Sequence, residues 1–272
     1  MELYLVAGAT LAVLSALLLP PVFARRRSER VRARPFPAAW ESILRDNVPL
    51  GLRLPPALAA RWREDILQFV DEKRFHGCAG QDIDDEVRVT IAAQACLVTL
   101  GRRGGLYERL RDVLVYPGAF IVERVRPEPS GVLQEHREAL SGESWSRGQV
   151  VLSWADTLEG GRMPDDGRNV VIHEFAHQLD QEKGYANGAP YIAGATRRTR
   201  WTAVMADAYA RLQWETSMGY PGVLSSYGAT APEEFFAVAS EAFFEQPHEL
   251  AVAYPSLYAE LSGFYALDPR GW

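Results

Sequence analysis

Between residues 170 and 180, Val170, Val171, Ile172, Phe175, Ala176 and Leu179 recur at three- and four-residue spacing, while His173, Glu174, His177 and Asp180 interrupt them. This pattern predicts a helix with an apolar face and a polar one. Residues 40–44, 57–70 and 86–100 carry the same spacing and predict three earlier helices. Residues 113–116, 119–124 and 149–154 are rich in Val, Ile, Leu and aromatics, with Gly and Pro between them, and predict strands. A last helix entry follows residue 230, where Thr230 can serve as N-cap, Pro232 stands in the first turn and Glu233 completes a T-x-x-E capping box. Helices, then strands, then two helices suit an α+β domain with a small sheet. The strand at 149–154 reads equally as an edge that could pair with an extended peptide or as an ordinary core strand.

The N-terminus breaks this pattern. Residues 3–24 contain no charged side chain, and six arginines with one glutamate follow between Arg25 and Arg34. Twenty-two helical residues span roughly 33 Å, enough for a bilayer core, although Pro20 and Pro21 shorten or kink the end. The arginines follow the apolar run instead of preceding it, which favours an uncleaved anchor over a signal peptide. The charge bias places the arginine-rich side in the cytoplasm. The expected organisation is a transmembrane anchor (1–24), a basic juxtamembrane segment (25–35) and one catalytic domain (36–272). The expected location is the cytoplasmic membrane, single-pass, with the domain facing the cytoplasm. An interfacial helix that does not span is the alternative.

The whole chain carries a formal charge of −6. Because the basic run alone is positive, the remainder is acidic, so the arginines suit anionic lipid and no nucleic-acid partner is expected. Cys78 and Cys96 have no paired spacing and imply no disulfide framework. Cys96 sits in an apolar run and reads as core. His76 and His136 lack a metal-ligand partner at useful spacing and read as surface, and His248 begins or flanks a helix. Trp201, Trp214, Tyr254, Tyr258, Phe264 and Tyr265 read as packing residues of the C-terminal helices.

The predicted helix at 170–180, bracketed by Asp166 and Gly167 before it and Gly184 after it, contains H-E-x-x-H. On a helix, His173 and His177 share a face and can close on one zinc ion, with Glu174 beside it as general base on a bound water. The spacing therefore encodes metal-assisted hydrolysis. A third protein ligand is needed, and the H-E-x-x-H-x-x-G-x-x-H form is absent, because Asp180 and Lys183 occupy its glycine and third-histidine positions. Downstream, Glu234 and Glu241 lie two helical turns apart within a run of Phe, Ala and Val, so both project from one face of a buried helix. We assign Glu234 as the third ligand and Glu241 as the acceptor that orients a histidine ring, the two being interchangeable on spacing alone.

The chain resembles the Mlc titration factor A family of gluzincin-type zinc metallopeptidases. The resemblance rests on Gly142-Glu143-Ser144-Trp145 with residues 150–154, on 169–180, on Asn187-Gly188-Ala189-Pro190 and on 227–241, with further likeness at 91–97 and 116–118, and it covers about residues 36–268. It implies a zincin-like fold in which the third ligand lies seven residues after a tyrosine. Tyr227 and Glu234 reproduce that offset, which favours Glu234. It also implies that Tyr227 hydrogen-bonds the oxyanion of the tetrahedral intermediate and that residues 187–190 border the cleft.

The expected function is thus zinc-dependent hydrolysis of a peptide or protein substrate, possible aminopeptidase action included, with Zn2+ held by His173, His177 and Glu234 and with Glu174 and Tyr227 catalytic. The resemblance also implies an alternative, a regulatory protein that sequesters a transcriptional repressor, with partly structural zinc and weak peptidase activity.

Overall fold

The computed structural model describes residues 23, 26–102, 105–127, 133–140, 142–145, 148–184 and 186–272, with the side chains of 121–127, 133–140, 145 and 183 outside that description. Three helices open the domain: α1 (Ala38–Asn47), α2 (Pro56–Glu72) and, after strand β1 (Arg74–Gly77), α3 (Asp85–Thr99). The next strands are β2 (Asp112–Tyr116), β3 (Phe120–Pro127), β4 (Leu133–Leu140), β5 (Gly142–Trp145) and β6 (Gln149–Ser153). Helices α4 (Trp154–Arg162), α5 (Val170–Asp180), α6 (Ala195–Ser217), α7 (Pro232–Glu245), α8 (Pro247–Ala253) and α9 (Pro255–Tyr265) complete the order. This is the mixed α+β architecture with a small sheet that the pattern predicts.

The sheet runs β1-β2-β6-β5, with β1, β2 and β6 parallel and β5 antiparallel to β6. Strands β3 and β4 form a separate antiparallel hairpin. β6 is therefore an inner strand, and the edge beside it is β5. Val150, Val151 and Leu152 are all buried, as expected for a strand covered on both faces. β1 escaped prediction because Arg-Phe-His-Gly is short and polar; it is recruited by pairing with β2.

Helix α3 is buried over nearly its whole length from Val87 to Thr99, Cys96 included, and is capped by Asp84, which accepts from the Val87 amide at 2.9 Å. Trp62 of α2 is fully buried and donates its indole N–H to the Ala93 carbonyl at 2.8 Å, so its polar edge costs nothing in the core. Phe175 of α5 packs against Phe69 of α2 and against Tyr107, with ring centroids 5.7 and 4.7 Å away. α7 buries Phe235, Phe236, Phe243 and Phe244. These contacts fix α5 and α7, the two helices that carry the site, in one core. Trp201, Tyr254, Tyr258, Phe264 and Tyr265 pack as expected, but Trp214 is exposed, its ring against Tyr220.

The expected membrane-spanning segment, residues 3–24, lies outside the described residues except for Phe23. Among the described residues no helix is long and apolar enough to cross a membrane. Residues 26–32 are helical and are fastened to α2: Arg27 donates to Asp71 at 2.9 Å, and Arg32 pairs with Asp65 and Gln68. Part of the basic run thus serves packing. Phe23, Arg26, Arg27, Arg30, Val31 and Arg34 line a cavity of about 250 Å³, and Arg34 also approaches Asp71 of α2 at 3.8 Å.

Candidate metal centre

α5 begins at Asn169, whose side-chain oxygen accepts from the Ile172 amide at 3.0 Å. The cap is Asn169 and not the earlier Asp166, because the helix needs its acceptor immediately before the first apolar turn. Val171, Ile172, Phe175, Ala176 and Leu179 point into the core, which leaves His173 and His177 together on the other face, their ring centroids 4.9 Å apart.

α7 starts one residue later than the T-x-x-E signature suggests. Thr230 closes the 3-10 turn Ser226–Ala229 and donates its hydroxyl to the Tyr227 carbonyl at 2.7 Å, so the N-cap is Ala231 and the capping box is not formed. Pro232 does occupy the first helical position.

From this helix Glu234 reaches the two histidines. Its Oε2 lies 3.0 Å from His173 Nε2 and 3.5 Å from His177 Nε2. Glu241 stands on the opposite side of the first ring, its Oε1 2.7 Å from His173 Nδ1, while its Oε2 accepts the Asn169 amide at 2.6 Å. The two glutamates differ in what they face: Glu234 meets both Nε2 atoms, and Glu241 meets only the far nitrogen of His173.

Ligand atoms of His173, His177 and Glu234 all lie within 4.8 Å of one another. Two imidazole nitrogens and one carboxylate oxygen are a donor set that suits zinc and leaves a coordination position open to water. The electrostatics agree with a cation at this point. Burial opposes a charge on His173, yet the Glu241 charge and the hydrogen bonds that the ring donates to Glu234 and Glu241 raise its pKa well above the usual range. Burial also opposes the Glu234 charge, but the two histidines keep its carboxyl far below the ordinary value. The residues present fit a divalent metal ion.

Glu174 is 5% exposed, its Oε2 is buried without a hydrogen-bond partner, and burial raises its pKa. It faces the edge strand: a Cβ on Gly142 would stand 2.6 Å from both Glu174 Cγ and Oε1. β5 is held there by α5 and the residue that ends it, since Ser144 Oγ accepts from Gln178 Nε2 at 2.6 Å and from Gln181 Nε2 at 3.3 Å.

Tyr227, half exposed in its 3-10 turn, places its ring 5.9 Å from that of His173. At the C-terminal end of α5, Asp180 Oδ2 accepts the amides of Asn187 and Gly188 at 2.7 and 2.6 Å. Gly188 has φ +73° and a Cβ there would meet the Pro232 carbonyl at 2.3 Å, so the 187–190 loop is tied between the end of α5 and the start of α7. His76 is exposed and bound to Asp112, and His248 stands in the first turn of α8. Sequence reading did not pick out Glu245, and it met Asn169, Gly142 and Asp180 only within motifs, with no role given to them. Of these only Asn169 carried a local signal, a cap residue directly before the apolar run.

Two imidazoles, a carboxylate and a buried neighbouring glutamate, set on two core helices beside a sheet edge, define a metallopeptidase-like site. Comparison with known proteins agrees. The profile of the glucose-regulated metallo-peptidase M90 family matches residues 22–266. The chain is 38% identical over 244 residues to an uncharacterised Synechocystis protein, covering 89% of each. It is 31% identical over 236 residues to Mlc titration factor A of Cronobacter sakazakii, covering 86% of this chain and 87% of that protein. The same identity holds over 233 residues for Mlc titration factor A of Klebsiella pneumoniae, covering 85% and 86%. The chain belongs to the M90 metallo-peptidase family, the Mlc titration factor A family that its motifs resemble.

Proposed function

We propose that the chain is a zinc-dependent peptidase of the gluzincin type, with His173, His177 and Glu234 as metal ligands. The observation that carries this reading is the convergence of those three donor atoms beside the buried carboxyl of Glu174. When bound, zinc supplies the Lewis acidity that makes a water nucleophilic at neutral pH and polarises the scissile carbonyl. Glu174 takes the proton of the attacking water and returns it to the leaving amine. The Tyr227 phenol donates to the oxyanion, and Glu241 keeps the ring of His173 in orientation. β5, an edge strand next to Glu174, offers main-chain groups to an extended peptide. Short peptides are the first substrates to test, aminopeptidase substrates among them. Wild type should cleave them and Glu174→Gln should not; an active Glu174→Gln protein overturns the mechanism.

Tethering to the cytoplasmic membrane through residues 1–24, with the domain on the cytoplasmic side, is part of the same proposal, and Arg26, Arg30 and Arg34 would face anionic headgroups. The name Mlc titration factor A, carried by relatives, supports a second role for the domain in binding a regulator.

A further inference from the structure

The polar face of α7 does not end at Glu241. Glu245 follows one turn later, so Glu234, Glu241 and Glu245 lie along one stripe of the helix. Glu245 is 3% exposed, and its Oε1 accepts from Asn169 Nδ2 at 3.0 Å. Burial, with the charges of Glu241 and Asp166, raises its pKa to about 9, so at neutral pH it is an uncharged carboxylic acid. An apolar residue would fill this core position at lower cost.

Asn169 is the point at which the network meets α5. Its side-chain oxygen caps the helix through Ile172, its carbonyl accepts the His173 amide at 2.9 Å, its own amide donates to Glu241, and its Nδ2 donates to Glu245. The cap needs only the oxygen of the amide. The Nδ2 group would still have to be satisfied in the interior, and Glu245 satisfies it without adding a second negative charge beside Glu241. With both ends of its amide engaged, Asn169 has one orientation, and its backbone N–H is aimed at Glu241 Oε2.

We propose that Glu245 is a positioning residue for the metal centre: through Asn169 it fixes the carboxylate of Glu241, and through Glu241 the ring of His173. This rests on the reading of His173 as a metal ligand and adds to it a residue that touches neither metal nor substrate.

The test is zinc affinity of the full chain, measured by competition with a chromophoric chelator, together with the visible spectrum of the cobalt-substituted protein. Removing an outer partner of a metal ligand characteristically weakens binding about 10–100-fold, and Glu245→Ala should fall in that range and shift the cobalt bands. Glu245→Gln keeps an acceptor for Asn169 Nδ2 and should restore affinity to within about threefold of wild type. Asn169→Ser, which retains a helix cap but not Nδ2, should reproduce the Glu245→Ala loss and serves if that variant does not fold. Phe243→Leu, a core change on the same helix, should leave affinity and cobalt bands unaltered. Unchanged affinity and spectrum in both Glu245→Ala and Asn169→Ser, or an equal loss in Glu245→Gln and Glu245→Ala, would overturn the proposal. A wild-type protein that takes up no zinc would sink the metal centre itself, and the proposal with it.

Discussion

Gly142 of β5 and Glu174 of α5 are in such close contact that a single added methyl group cannot fit between them: the Cβ would lie 2.6 Å from Glu174 Cγ and Oε1 and 2.8 Å from Val170 Cγ2. The edge strand thus forms one wall of the slot that holds the proposed general base. Gly142→Ala should push Glu174 aside or lift β5 from α5. Displacing a catalytic group by about 1 Å can cost on the order of 10²-fold in rate, and kcat/KM for a short peptide should fall by about that factor while zinc content stays constant. Unchanged kinetics would mean that the strand does not set the position of Glu174.

The link between Glu241 and His173 gives a second expectation. Glu241→Ala removes the acceptor of His173 Nδ1 and of the Asn169 amide, and zinc affinity should drop by about 10–100-fold without loss of stoichiometry at saturating metal. Glu234→Ala should be more severe, since it removes a donor from the three-residue set. Chelator competition on the two variants distinguishes the roles; equal losses would return the ligand assignment to the ambiguity of the sequence.

Glu245 contributes a term to the stability of the metal-free protein that falls as pH rises. In the folded state its carboxyl keeps its proton to about pH 9, whereas its ordinary value is 4.5. Between those limits the folded protein binds at Glu245 a proton that the unfolded chain has released, so the contribution of Glu245 to stability is greatest below about pH 4.5 and declines towards pH 9. The groups facing it are Glu241 and Asp166, whose charges push in the same direction, the side-chain amide of Asn169 and the backbone N–H of Arg168, which oppose it, and the guanidinium of Arg53, which interacts with its charge. Glu245→Gln has no such proton to lose. Its stability advantage over wild type should grow between pH 6 and pH 8 by on the order of 1 kcal/mol per pH unit, measured by urea unfolding in the presence of a chelator. A difference that does not vary with pH would contradict a neutral buried Glu245.

What could be read from the sequence was local. The i, i+4 histidines and the apolar stripe of α5 obey helical periodicity, and so does the seven-residue separation of Glu234 and Glu241. A candidate ligand set could therefore be proposed before any fold was known, whereas only the crossing of α5 and α7 shows that Glu234 faces both Nε2 atoms and Glu241 only Nδ1 of His173. Sheet order is a long-range property, and the apolar run of β6 suited an edge or an inner position equally. β5, with the sequence Gly-Glu-Ser-Trp, has little strand propensity of its own, and its pairing with β6 and anchoring by Gln178 come from tertiary structure. The cap of α7 was misread for a similar reason: Thr230 is a good cap residue, but a 3-10 turn engages it and the helix starts one residue later.

The most direct test of the central claim is metal content by elemental analysis of the full chain, purified without chelators, for wild type, Glu174→Gln and Glu234→Ala, alongside hydrolysis of a short-peptide panel. The predicted result is one zinc per chain in wild type and Glu174→Gln, little or none in Glu234→Ala, and cleavage by wild type alone. A wild-type protein without zinc, or a Glu234→Ala protein that retains zinc and activity, would contradict the assignment of His173, His177 and Glu234 as a catalytic metal site.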